Sequence, residues 1–150
     1  LKNLLSWVHS SINIGVYKAG FARTQADYES GCTELFAALN QLEKLLASVS
    51  TDGPFILSSE LTALDINVFV TLVRFDVVYV QHFKVNLGTV RHDYPLLNNW
   101  LKGMWRVEAC RETTNWRHIK ESVSFFFFFD NVERGDIADT SLVHEVSWGY

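Results

Sequence analysis

The segment from Leu61 to Lys84 constrains the fold of this chain more than any other. It opens on a helix-start pattern. Thr62 can occupy the N-cap, and Asp65 lies three residues on. In that arrangement the hydroxyl accepts the Asp65 amide and the carboxylate reaches back to the Thr62 amide. Glu or Gln is the commoner partner, but Asp also complements the positive end of the helix. Leu61 before the cap and Ile66 after it are spaced as a hydrophobic staple. Ile66, Val68, Phe69, Val70, Leu72 and Val73 then leave almost no polar face. A helix apolar nearly all round belongs at the centre of a domain, with other helices packed on it. The predicted central helix spans about 62–75.

Polar residues crowd its exit. Arg74, Asp76, Tyr79, His82 and Lys84 are interleaved with Phe75, Val77, Val78, Val80 and Phe83. Polar groups this close to a core need internal partners or a ligand. Two readings stand. Arg74 and Asp76 pair to end the helix, with Tyr79 an ordinary half-buried aromatic, or the group lines a cleft.

The flanking segments are helical too. Thr24 can cap an amphipathic helix running to Val49, with Tyr28, Cys32, Leu35, Phe36, Leu39, Leu42 and Leu46 at three- and four-residue steps. Leu1 to His9 reads as the end of a helix, and Ser10, Ser11 and Asn13 offer caps and turns. Between Ile12 and Ala22, Gly15 and Gly20 permit close approach of another backbone or a ligand. Tyr17 there either packs into the core beside a helix break or is presented at a cleft. Asp52-Gly53-Pro54 punctuates a turn. Asp93-Tyr94-Pro95 reads as another helix start, with Leu96, Leu97, Trp100, Leu101 and Met104 as its buried face. Val107 to Ile119 is expected to add a short helix anchored by Trp116. No strand alternation or repeat period appears, so the expected architecture is an all-α bundle of five or six helices.

Composition sets the outer limits. The chain has 150 residues, 48% hydrophobic and 20% charged, enough for one domain with a real core. A net charge of −4 argues against a nucleic-acid partner. No apolar run is long enough to span a bilayer and no secretory signal heads the chain, so a cytoplasmic, non-membrane protein is expected. The first residue is Leu1, as expected of a fragment or partial gene model, which leaves organellar targeting open. Cys32 and Cys110 form no Cys-x-x-Cys and neither precedes Pro. Cys32 lies on an apolar stripe and reads as core. Cys110 stands beside Arg106 and Arg111, which would depress its pKa, but it lacks a His base and also reads as structural. No His or Cys spacing suits a metal, so none is expected.

From Ser122 the character changes. Phe125 to Phe129 are five consecutive phenylalanines, and Asp130 to Tyr150 is polar and acidic. A bare Phe run is an aggregation hazard unless covered. The expected domain is therefore 1–121, followed by a disordered or non-native tail, 122–150.

Four segments together carry a resemblance: Ile12 to Ala22, the Thr62–Ile66 cap, Leu72 to Tyr79 with His82-Phe83-Lys84, and Thr114 to Lys120. In that order they closely resemble the C-terminal helical domain of the glutathionyl-hydroquinone reductases. This is the xi-class branch of the glutathione transferases, related to the omega class. The match covers roughly residues 4 to 120. The resemblance implies an N-terminal thioredoxin-like domain, absent here, that binds the co-substrate glutathione and carries a catalytic Cys before Pro. The implied thiolate attacks the sulfur of a glutathionyl-hydroquinone, giving a protein–glutathione mixed disulfide and free hydroquinone. A second glutathione then regenerates the thiol. The helical domain forms the hydroquinone pocket, and Tyr17 and Tyr79 match two of its tyrosines. Arg74, Asp76 and His82 are candidate supporting residues, while His118 and Lys120 match the pattern in structural positions. A phenol suits the role, since it packs flat on a ring while its hydroxyl donates to a developing aryl oxygen or carbanion.

Two departures accompany the resemblance. Neither Cys32 nor Cys110 matches the family nucleophile, so this chain alone is expected to bind aromatic ligands weakly without turning over. After His118-Ile119-Lys120 the family places a Tyr-Tyr pair, and here Glu121, Ser122, Val123 and Ser124 follow. Family members pair through these domains, which implies a homodimer. The alternatives are a non-enzymatic helical interaction module of glutathione-transferase type, or an inactive truncated paralogue.

Overall fold

The computed structural model describes residues 1–49 and 53–121, and its regular structure is all helical. The α-helices are α1 (Lys2–Val8), α2 (Gly15–Gly20), α3 (Gln25–Ser48), α4 (Ala63–Arg74), α5 (Val90–Asp93), α6 (Pro95–Arg106) and α7 (Glu108–Thr113). Residues 116–121 are helical as well. The number exceeds the five or six expected because α5 and α7 are short separate pieces and the N-terminal rod divides in two. Phe125–Phe129 and the rest of the expected tail lie outside the described residues. Among the described residues no helix is long and apolar enough to cross a membrane.

The expected break between Ser10 and Asn13 does not occur. Instead α1 runs into α2 through one π-helical turn, His9–Asn13. Val8, Ile12, Val16 and Ala19 recur at three- and four-residue steps and are all buried. That continuous apolar face holds the rod together across the turn. Ser10 caps nothing; its hydroxyl bonds back to the Trp7 carbonyl at 3.2 Å. Helix α2 lies against α3 at Gly31, where a Cβ would stand 3.1 Å from the Ala19 backbone nitrogen. The missing side chain lets the two helices approach closely.

Helix α3 starts as predicted, with Thr24 Oγ1 accepting the Asp27 amide at 3.1 Å. Its stripe of Cys32, Leu35, Phe36, Leu39 and Leu42 is buried. Helix α4 also starts as predicted, with a capping box at Thr62 and Asp65. The carboxylate does more than cap. Asp65 Oδ2 accepts the Thr62 amide at 3.0 Å and the Thr62 hydroxyl at 2.6 Å, while Oδ1 accepts the Ile56 amide at 2.8 Å and Trp100 Nε1 at 3.2 Å. This fully buried acid ties the approach to α4, its start, and α6 to one point. Four donors satisfy a charge that would otherwise be costly to bury.

Helix α4 is less enclosed than its composition suggests. Leu64, Val68, Phe69 and Leu72 are buried, but Ile66 and Val70 are 41% and 39% exposed. With Leu61 they line an open groove against α7 and the 116–121 helix, so both residues of the expected staple are exposed. The start of α6 is also organised differently from expectation. Pro95 is in the first turn, but Asp93 accepts the Thr89 amide at the start of α5. Helix α6 is capped across the fold by Glu43 of α3, whose two oxygens accept the Leu96 and Leu97 amides at 2.8 Å each. The Val107–Ile119 helix breaks after Thr113, and Asn115 Oδ1 caps the 116–121 helix through the His118 amide.

Candidate functional site

Helix α4 continues into a second π-helical turn, Phe75–Tyr79. A π turn carries an extra residue, which displaces the following side chains from ordinary helical register. Tyr79 closes this turn, and Tyr17 stands one helical turn beyond the first. The two hydroxyls meet at 3.3 Å. Their rings are edge to face, centroids 5.9 Å apart at 75°. Phe83 touches both, with centroids 5.6 Å from Tyr17 and 5.2 Å from Tyr79. Phe21 stacks on Tyr17 at 6.0 Å. The result is a four-ring cluster with one phenol turned outward and one inward: Tyr17 is 40% exposed and Tyr79 only 3%.

Burial, then the hydrogen bond to Tyr17, push the Tyr79 phenol well above the ordinary phenol range, against a smaller opposing pull from Arg74. Tyr79 therefore keeps its proton at neutral pH. Either hydroxyl can donate in the contact with Tyr17. Tyr17, 40% exposed, presents its hydroxyl nearer the surface than Tyr79 does.

The three candidate supporting residues diverge. Arg74 lies close enough to Tyr79 to favour its phenolate. Asp76 forms no pair with Arg74; its carboxylate accepts the Val90 amide at 2.7 Å and the Arg91 amide at 3.1 Å. It therefore anchors the start of α5. His82 lies half-buried in a neighbouring hollow shared with Phe83, Lys84 and Gly20. Burial first, and the Lys84 charge second, lower its pKa. Lys84 itself takes a left-handed backbone, φ 58°, and its carbonyl accepts the Tyr28 hydroxyl. Phe21 and Phe83 are the site members that the motif reading left out. Each stands four residues after a tyrosine, just past the end of the helical segment that carries it.

The cysteines do not add a nucleophile. Both are buried and unpaired by disulfide. Desolvation raises the Cys110 thiol, so the depression expected from Arg106 and Arg111 does not occur. Among the described residues no group of three or more His, Cys, Asp or Glu side chains could hold a metal.

Residues 25–103 match the family model for the glutathione S-transferase C-terminal domain. The chain belongs to that family. Among curated relatives, this glutathione S-transferase domain is 46% identical over 121 residues to glutathione S-transferase omega-like 2 of Schizosaccharomyces pombe, covering 80% of this chain and 38% of that protein. It is 36% identical over 120 residues to the glutathionyl-hydroquinone reductase YqjG of Escherichia coli, covering 80% and 35%. Among solved structures, the Xi-class glutathione S-transferase of Phanerochaete chrysosporium superposes with a TM-score of 0.75 at 44% identity, covering 81% of this chain and 40% of that one. The domain spans between 34% and 38% of the length of the curated relatives it matches.

Proposed function

We propose that this domain supplies the aromatic wall of a glutathione-dependent site that removes glutathione from glutathionyl-hydroquinones. The observation that carries the reading is the 3.3 Å approach of Tyr17 and Tyr79, one phenol open and one buried, on helices far apart in sequence. The identity to a relative named glutathionyl-hydroquinone reductase supports it. In this reading the nucleophile is a Cys outside this chain, in a thioredoxin-like domain that also holds glutathione. Its thiolate attacks the glutathionyl sulfur, the bond from sulfur to the ring carbon breaks, and the electron pair passes to the ring. A proton then completes the free hydroquinone. A second glutathione thiolate attacks the mixed disulfide, releasing glutathione disulfide and the Cys thiolate.

The residues of this chain bind the ring and stabilise its charge. The contact between the two hydroxyls holds the Tyr17 phenol in place, and when Tyr79 is the donor the Tyr17 hydrogen is available to a quinol oxygen. A donor held in place before charge develops stabilises the transition state without rearranging. Phe21 and Phe83 hold the two phenols, and Arg74 adds positive charge behind Tyr79.

The test is titration of the 150-residue chain with methylhydroquinone under nitrogen, followed by NMR. Weak binding is expected, and Tyr17→Phe should weaken it about five-fold, the worth of one neutral hydrogen bond. Equal affinity for the native chain, Tyr17→Phe and Tyr79→Phe would remove the basis of the assignment. With glutathione and a glutathionyl-hydroquinone, the same chain should release no hydroquinone catalytically.

A further inference from the structure

A groove of about 610 Å³ opens between the end of α4, its π turn, α5, α6 and the 116–121 helix. None of the four rings of the tyrosine cluster lines it. Leu72 and Val90 form a buried apolar floor, with Leu101 half-buried beside them. Trp105 and Trp116 make one wall, ring centroids 5.6 Å apart and planes inclined at 42°. Trp116 is 38% exposed, which leaves indole surface open to a ligand. Arg91, Lys102 and Arg106 stand exposed on the rim.

Charge at this rim is unbalanced. Lys102 and Arg106 are four residues apart on α6, so they share a face and repel each other. Among the described residues, neither they nor Arg91 forms an ion pair. Asp76 is the one acid in the lining, and the Val90 and Arg91 amides already occupy its two oxygens. The groove thus combines indole faces, an apolar floor and an excess of positive charge, three cations against one carboxylate. Its volume falls within the roughly 300–1,000 Å³ of small-molecule sites.

We propose that this groove binds a planar aromatic anion, an aryl carboxylate or sulfonate. The ring packs on Trp105 and Trp116, and the acidic group meets Lys102 and Arg106. Stacking recognises the ring, and charge-assisted hydrogen bonds recognise the anion. A neutral ring has only the first contribution, and an aliphatic anion only the second. The site is independent of the hydroquinone reading, because it uses none of the same side chains.

The probes are naphthalene-1-sulfonate and the neutral 1-naphthylmethanol, titrated into the 150-residue chain with isotope-labelled indole nitrogens. The sulfonate should bind about ten-fold tighter than the alcohol at low salt, and the preference should shrink as salt rises. The Trp105 and Trp116 indole signals should move while those of Trp7 and Trp100 stay in place. A Lys102→Gln, Arg106→Gln double variant, altered only at exposed side chains, should bring the two affinities within about two-fold. Tyr17→Phe should leave sulfonate binding unchanged. Equal affinities in the native chain, a preference that survives the double variant, or loss of sulfonate binding in Tyr17→Phe would each overturn the proposal.

Discussion

A methyl group at Gly20 would lie 2.2 Å from Cδ2 and 2.4 Å from Cγ of Phe83, the ring that touches both Tyr17 and Tyr79. Those atoms are at the root of the ring, so the whole side chain would have to swing away. Alanine is the better helix former by about 1 kcal/mol, whereas overpacking a filled site costs about 1–3 kcal/mol. The clash should win. Gly20→Ala is expected to lower the urea-unfolding free energy and to change the near-ultraviolet dichroism of the tyrosines; a stabilised variant with an unchanged spectrum would refute this. Asp65 shows how far a single residue can be read. Its bonds to Thr62 follow from three-residue spacing and are legible in the sequence. Its bonds to the Ile56 amide and Trp100 are not, because the motif says nothing about which groups the fold brings to the second oxygen. Asp76 teaches the reverse lesson. Its neighbours in sequence suggested a partner in Arg74, but two amides of α5 take the carboxylate instead.

At the scale of elements, the N-terminus of α6 depends on a side chain more than fifty residues upstream. Both oxygens of Glu43 accept amides there. Removing a capping side chain typically costs about 0.5–2 kcal/mol. Glu43→Ala should therefore destabilise the domain by about 1–2 kcal/mol in urea unfolding. Exposed Asp93→Ala, which loosens only the four-residue α5, should cost less. The reverse order would place the cap of α6 back on Asp93. The long helices α3 and α4 were readable because caps and apolar periods belong to neighbours along the chain. The π turns were not. Their residues have ordinary helical preferences, and the extra residue is accommodated because Ile12 and Phe75 are drawn fully into the core. That displacement brings Tyr17 and Tyr79 together, so the site's geometry was hidden even where its residues were not.

For the whole molecule, buried titratable groups define the pH range of stability. Burial is the leading cause that raises the phenols of Tyr28, Tyr79 and Tyr94 above 10.0 and the thiol of Cys110 above 9.0. The unfolded chain releases these protons first, so the folded state binds more of them and stability falls as pH rises above about 9. His82 acts on the acid side. Burial and Lys84 lower its pKa from 6.5, so below that value the unfolded chain gains a proton that the folded state resists, and stability falls as pH drops. The unfolding free energy should be highest between about pH 7 and 9, and Tyr79→Phe should make the alkaline decline shallower. A profile flat to pH 11, or an unchanged alkaline slope in that variant, would contradict this account. By itself the sequence determined the helical class and the starts of α3 and α4, since these rest on spacing along the chain, whereas Tyr17 and Tyr79 were singled out by the resemblance alone. Only the tertiary structure decided that the phenols touch, that Glu43 caps α6, that one face of α4 stays open and that the tryptophans border a cationic groove. Each of those depends on which distant segments come within a few ångströms of one another, and local pattern carries no measure of that distance.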